Sequence, residues 1–348
     1  MRVLLPAHQA LAVGGIGTIA RGLAKSVPAA LGDEGELVVP SLSPIAEKGV
    51  SGLRGAGTAA RLYHEQVSLA WRSRRFDLVH LCDLRPIAAS PTRFLITVHD
   101  VNFLDRPEWS TRPARSYKTA MLRLSLAKKP AFVVCDSSYT RDRLMLHMPG
   151  APPDRLRVVY PGVDASGTDW SGGGPDPYFL TVGTIEPRKN HLGLLEAFRR
   201  ARERAGVRWV VAGTPGQLSA PIVAALEAEP GVELVGRVDS ERLEALYRDA
   251  LFVATPSHIE GFGYPPLEAM VRGVPTLTSN ATSLPEVVGD AGPMVAPDDA
   301  SGWADQIERL AGDEAARREL SERGRARAAE FTWEAAARQV VALYREAL

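Results

Sequence analysis

The chain has 348 residues, 45% of them hydrophobic, and its 41 basic and 41 acidic side chains leave no formal net charge. That length suits two domains of ordinary size, and the composition excludes a disordered chain and gives no reason to expect nucleic-acid binding. No apolar run reaches the roughly 18–20 residues that span a bilayer, and two cysteines, Cys82 and Cys135, make neither a disulfide framework nor a metal site, so a reduced, cytoplasmic setting is expected.

The first predicted strand, 2–5, runs toward a glycine-rich loop at Gly14, Gly15 and Gly17. His8 and Gln9 interrupt the apolar stretch that a signal peptide would need. Further strands are expected at 36–41, 78–82, 93–99, 132–136 and 156–160, with helices at 17–26, 59–74 and 116–127 between them. Residues 1–165 hold 22 basic and 14 acidic side chains, so the first part of the chain is basic and the remainder acidic. Arg112, Arg115, Lys118, Arg123, Lys128 and Lys129 are read along one helix that also carries Met121, Leu122, Leu124 and Leu126. A solvated basic face explains that pattern, and so does contact with anionic lipid or an anionic acceptor.

Residues 164–177, centred on Gly172-Gly173-Gly174, read as a linker. A second series of strands follows at 178–183, 208–213, 232–235, 251–255, 275–278 and 293–295, again alternating with helices. The double alternation predicts an α/β chain with two Rossmann-like, doubly wound parallel sheets, one in each half. The expected domains are 1–163 and 178–332, with a final helix at 333–348.

Two strand-to-helix turns in the second half carry chemistry. After the strand ending at Gly183 comes Thr184-Ile185-Glu186-Pro187-Arg188-Lys189-Asn190, then a helix. Positive charge at a helix start opposes the helix dipole, so an anionic ligand accounts for Arg188 and Lys189 better than solvation does. Arg can grip two oxygens of a pyrophosphate, and Lys supplies a mobile point charge. In the second turn, Glu260-Gly261-Phe262-Gly263-Tyr264 leads into a helix with prolines in its first turn and Glu268 one turn on. The glycines allow close approach of a ligand, the helix start favours an anion, and carboxylates accept hydrogen bonds from sugar hydroxyls. The pattern suggests a sugar attached to a phosphate.

These residues resemble glycosyltransferase family 4, the retaining nucleotide-sugar transferases of the GT-B fold. The resemblance runs through 183–190, 235–238, 243–247, 256–263 with Glu268, 273–276 and 284–287, and more thinly through Gly14-Gly15-Ile16-Gly17 and Val98-His99-Asp100. It implies two domains facing across a cleft, an acceptor-binding N-terminal domain to which the last helix crosses back, and a donor-binding C-terminal domain. It also implies transfer of a hexose from GDP-mannose or a UDP-sugar to a hydroxyl of a saccharide, a lipid-linked or a small-molecule acceptor, in polysaccharide or glycoconjugate biosynthesis. Arg188, Lys189, Glu260 and His99 are the expected catalytic residues, with Glu260 and His99 toward the donor sugar. Gly15, Gly17, Gly183, Thr184, Val238, Gly261, Phe262, Gly263, Tyr264 and Glu268 are expected to bind the donor, Glu268 through the ribose and Val238 near the base. In the family a second Arg commonly follows the strand-ending glycine, where this chain has Thr184. Asp100 is a further candidate contact to the acceptor. No Asp-x-Asp pair occurs among the eighteen aspartates, so no essential metal is expected, and no cofactor is expected beyond the nucleotide-sugar substrate. A sugar-nucleotide epimerase of the same architecture and a non-catalytic sugar-nucleotide-binding protein are the alternatives. Peripheral membrane contact through the basic half is a further expectation.

Overall fold

A computed structural model describes residues 1–6, 15–39, 69–84, 92–164 and 169–348. It divides into two compact units, one made of Met1–Leu104, Pro113–Gly162 and Thr332–Leu348, the other of Asp105–Arg112 and Val163–Phe331. Gly14 and the first ten residues of the helix expected at 59–74 lie outside the described residues.

The first unit holds six parallel strands: β1 (Arg2–Leu4), β2 (Glu36–Val38), β3 (Leu78–Leu81), β4 (Arg93–Val98), β5 (Phe132–Cys135) and β6 (Leu156–Val158), in the order β2-β1-β3-β4-β5-β6. Every residue of β3 and β5 is buried, as a parallel sheet covered on both faces requires. One face packs Val79, Leu81, Ile96, Val98 and Val133 against Phe103, Leu122 and Leu144 from the flanking helices.

The expected glycine loop is corrected here, because Gly15 and Gly17 belong to the helix Gly15–Leu31. Its buried stripe of Ile19, Ala20, Leu23, Val27 and Leu31 gains more from packing than two glycines lose in helix propensity, about 1 kcal/mol each. Close approach also favours glycine along this helix. A Cβ on Gly22 would stand 2.3 Å from Cε2 of Trp333. Trp333 opens the C-terminal helix, Trp333–Ala347, which packs in this unit. The Tyr344 hydroxyl of that helix meets Nδ1 of buried His80 at 2.8 Å, and Arg93 Nη1 donates to the Ala347 carbonyl at 2.6 Å.

The basic helix runs Arg112–Ala127, so Lys128 and Lys129 lie beyond its end, against the expectation that one helix carries all six cations. The chain turns there because Lys129 adopts a left-handed conformation, φ 51°, before Pro130.

The second unit holds β7 (Tyr178–Val182), β8 (Arg208–Ala212), β9 (Val232–Gly236), β10 (Phe252–Thr255), β11 (Thr276–Ser279) and β12 (Met294–Val295), all parallel, in the order β12-β11-β10-β7-β8-β9. The chain builds outward from β7 to β9, returns to lay β10 beside β7, then builds the other way. Strand order therefore reverses between β7 and β10, and loops leaving their carboxyl ends diverge to opposite sides of the sheet, which opens a crevice for ligand.

Alternate residues of β7 feed two cores. Phe179 stacks on Phe252 and on Trp209, with ring centroids 5.2 and 5.6 Å apart, while Tyr178 and Leu180 pack with Leu246, Tyr247 and Val253 on the other face. Aromatic pairs of this kind add about 0.5–1.5 kcal/mol each beyond the area they bury. The described part of the expected linker is fastened to this unit. Trp170 Nε1 donates to the Ala250 carbonyl at 2.7 Å, and Gly174 N to the Asp249 carbonyl at 2.9 Å.

Candidate active site

Both chemistry-bearing turns sit at the reversal of strand order, one after β7 and the other after β10. Gly183 closes β7 with φ 131°, a backbone region that glycine adopts without strain. A Cβ there would lie 3.5 Å from Lys189 Nζ, so glycine also leaves the ammonium room. Pro187–Lys189 then forms one 3-10 turn, and Asn190 takes the left-handed conformation, φ 55°, before the helix His191–Ala205. The Asn190 amide donates to the carbonyls of Pro256, 3.2 Å, and Pro297, 2.8 Å. His258 N donates to the Arg188 carbonyl at 2.8 Å. These bonds fasten the loop after β7 to the loop after β10.

Glu260 is the hub of the site. Its Oε1 accepts from Lys189 Nζ at 2.5 Å and Ser257 Oγ at 2.7 Å, and its Oε2 accepts from Arg188 Nη1 at 2.9 Å. Its backbone is fixed as well, with N donating to Thr282 Oγ1 at 3.0 Å and O accepting from Ser283 Oγ at 2.9 Å. Arg188 is gripped from a second side by Glu186, Nε to Oε1 2.6 Å. Burial pushes the Glu260 carboxyl up, but Lys189, Arg188 and the hydrogen bonds from Lys189 and Ser257 outweigh it and hold it at about 2. The carboxylate is therefore ionised at any working pH, and it orients two cations that stand 22% and 11% exposed.

The helix Tyr264–Val271 follows, capped by Gly263 at φ 113° with proline in its first turn, so its positive dipole end lies four residues beyond Glu260. Gly261 is half-buried and Phe262 and Gly263 are buried. One turn into the helix, Glu268 Oε2 accepts from the Tyr247 hydroxyl at 2.8 Å. Burial raises the Glu268 carboxyl above its ordinary value, against the pull of that bond and of Arg272. Arg272 lies over the Tyr247 ring, donates to the Glu268 carbonyl at 2.7 Å and pairs with Glu244. Val238, after β9, packs against the cluster that contains Tyr247 and Leu246. Thr184 is exposed on the loop after β7.

His99 belongs to the first unit, immediately after β4. Its Nδ1 lies 2.6 Å from Asp136 Oδ2 and its Nε2 2.9 Å from the Cys82 carbonyl. Both partners only accept, so both ring nitrogens donate and the ring is an imidazolium. Burial alone would lower its pKa, but Asp136 and the bond to Cys82 outweigh this and raise it to about 9. Asp100 Oδ1 accepts from Asn102 N at 3.3 Å.

The structure thus gathers Gly183, Arg188, Lys189, Glu260 and the start of the Tyr264 helix at one sheet end, with Glu268 and Val238 in the neighbouring Tyr247 cluster. Gly15, Gly17 and His99 belong to the other unit. Sequence reasoning missed Ser257, Thr282, Ser283, Tyr247 and Asp136. Asp136 had a usable signal, since it closes β5 as His99 closes β4, and Val98 pairs with Cys135 in register. The polar residues around Glu260 come from separate loops and carried none. Among the described residues, no group of three or more His, Cys, Asp or Glu is placed to hold a metal ion.

Two oriented cations and a helix start at a strand-order reversal are groups whose chemistry suits a phosphate ester. Comparison with known proteins makes the class specific. Residues 171–327 match the family model of glycosyl transferases group 1, and residues 13–166 match that of glycosyltransferase family 4. The O-antigen chain mannosyltransferase B of Escherichia coli is 33% identical over 276 residues, 73% of this chain and 70% of that protein. The MMP alpha-(1->4)-mannosyltransferase of Mycolicibacterium hassiacum is 30% identical over 300 residues, 80% of this chain and 73% of that one. Among solved structures, sucrose-phosphate synthase from Thermosynechococcus elongatus superposes with a TM-score of 0.76 at 20% identity, covering 99% of this chain and 98% of its own. The two six-stranded parallel sheets are those of the GT-B fold. The chain belongs to glycosyltransferase family 4, and it is a glycosyltransferase.

Proposed function

We propose that this glycosyltransferase moves a mannosyl residue from GDP-mannose to a hydroxyl of a saccharide or lipid-linked acceptor, with retention at C1 and without an essential metal or other cofactor. Mannosyl transfer is supported by the names of the two relatives and by the resemblance of the 183–190 turn. A UDP-linked hexose is the alternative donor. The observation that carries the reading is the Arg188–Lys189–Glu260 cluster at the β7/β10 crevice.

The diphosphate binds against Arg188 and Lys189, with the helix start at Tyr264 contributing its dipole and the Gly261–Gly263 turn letting the backbone close on the phosphates. Glu260 keeps both cations aimed at the leaving group, and its saturated carboxylate is not a nucleophile. As the C1–O bond breaks, its electron pair passes to the β-phosphate oxygen, and the two cations stabilise the charge that grows there. The acceptor oxygen bonds to C1 on the same face and its proton passes to that phosphate, leaving a nucleoside diphosphate and a new glycoside. Glu268, held by Tyr247, accepts from the ribose, and Val238 lies toward the base. The N-terminal unit supplies the acceptor site, where His99 is a fixed cation, and the basic helix Arg112–Ala127 is a peripheral contact to anionic lipid.

Radiolabelled GDP-mannose and UDP-hexoses tested against a panel of saccharide, polyprenyl-phosphate-linked and small-molecule acceptors provide the test. Mannosylated product from GDP-mannose supports the reading. Transfer from UDP-hexoses alone would replace the donor. Sugar isomerisation with no acceptor present would replace the reaction.

A further inference from the structure

The first unit carries a second, unrelated cavity of about 700 Å³, formed by the end of the Arg112–Ala127 helix and the segment from His147 to Arg155. The segments that border it lead into β5 and β6 at their amino ends, whereas His99 and Asp136 follow the carboxyl ends of β4 and β5. It therefore lies at the opposite end of the sheet from His99. Four of its lining side chains are basic or imidazole, Arg123, Lys129, His147 and Arg155, and no acidic side chain lines it among the described residues. The rest of the wall is apolar, including Leu126, Met148, Pro149 and Pro152. Leu124 and Leu146, 44% and 62% exposed, adjoin wall residues in sequence.

The placement of Lys129 is the second observation. It is a non-glycine residue in the left-handed region, φ 51°, where a side chain is disfavoured and glycine is the usual occupant of a helix C-terminus. Backbone bonds from Lys128 N to the Leu124 carbonyl and from Lys129 N to the Leu126 carbonyl hold the turn. That conformation places Lys129 in the wall of this cavity and of a neighbouring one of about 690 Å³, which also takes Arg93, Lys128, Arg155 and Glu346, the last paired with Arg157 at 3.1 Å. Neither Arg123 nor Lys129 has a side-chain partner among the described residues. Uncompensated cations facing a partly apolar hollow complement a ligand with an anionic head and an apolar body.

We propose that this cavity is a binding site for a phosphate monoester, with the phosphate held by Arg123 and Lys129 and the body of the ligand against Leu126, Met148 and Pro152. The site lies away from the Arg188–Lys189–Glu260 cluster, in the other unit, and does not depend on which donor is used. The phosphate comes either from a lipid headgroup or from a soluble phosphate ester.

Titration calorimetry on the full chain tests this with dihexanoyl phosphatidate, dihexanoyl phosphatidylcholine and inorganic phosphate. The informative variant is Arg123→Gln with Lys129→Gly, because glycine suits φ 51° and should preserve the melting temperature; Arg123→Gln alone serves if the pair does not fold. Phosphatidate should bind the native chain at least about tenfold more tightly than the variant. Affinity for phosphatidate about tenfold above that for inorganic phosphate supports a lipid headgroup, and equal affinities support a soluble ester. Equal binding to native chain and variant, binding of phosphatidylcholine as tight as phosphatidate, displacement of phosphatidate by GDP or UDP, or no binding of either phosphate would overturn the proposal.

Discussion

Lys189 Nζ rests 2.5 Å from Glu260 Oε1 across the one pair of neighbouring strands, β7 and β10, where the strand order of the second sheet reverses. The two residues are 71 positions apart, and neither loop fixes the contact alone. The carboxylate fixes where the ammonium points, and the ammonium with Arg188 keeps the carboxylate ionised. On the proposed function, a donor phosphate would meet cations already oriented, so little reorganisation would oppose charge development.

Lys189→Ala should lower kcat by roughly 10²–10³, the range seen when one preorganised donor to a developing anion is removed. Glu260 keeps Arg188 and Ser257, so the cost in stability should stay near about 1–3 kcal/mol. Steady-state rates and a denaturant melt on the same preparation separate the two effects. A near-normal kcat removes Lys189 from the mechanism.

The His99–Asp136 pair predicts a stability change on the alkaline side. The His99 pKa is raised from 6.5 to about 9 on folding, so its stabilisation is fully present below about pH 6.5 and is lost as pH rises through about 9. The shift corresponds to about 3 kcal/mol. Asp136→Asn should abolish that slope in urea unfolding measured from pH 6 to pH 10, and imidazole carbon shifts should report a lower His99 pKa. An unchanged slope would show that the ring is not held as a cation.

Tyr247→Phe removes the hydroxyl that holds Glu268 Oε2. On the proposal that Glu268 contacts the ribose throughout the reaction, the donor KM should rise about 2–10-fold with kcat little changed, the signature of lost uniform binding. A fall in kcat at constant KM would place Glu268 closer to the chemistry than the ribose.

Chelation should leave the rate unchanged, since cationic side chains and a helix dipole neutralise the leaving group in this account. Loss of activity with a chelator that magnesium restores would assign that role to a metal.

Much of the fold was legible because each strand is short, branched and closed by a turn. All twelve expected strands occur, and parallel pairing follows from their alternation with helices. Arg188 and Lys189 were legible because two cations at a helix start oppose its dipole, and Glu260 because it stands in a glycine turn before a second helix start that favours an anion. The direction of Glu260 was not, since its bonds to Ser257 and Lys189 depend on loops that meet only in the folded unit. The helix at Gly15 was obscured by its glycines, and the use of one of them, Gly22, is visible only in the fold, where it admits Trp333 from more than three hundred positions away. The turn at Lys129 was hidden because nothing in the Lys-Lys-Pro sequence signals a left-handed lysine.

A crystal structure of the protein with bound GDP or UDP tests the central claim most directly. The diphosphate should lie within hydrogen-bond distance of Arg188 and Lys189, beside the helix start at Tyr264, with Glu260 still holding both cations. A diphosphate bound elsewhere, or an empty crevice at saturating nucleotide, would contradict it.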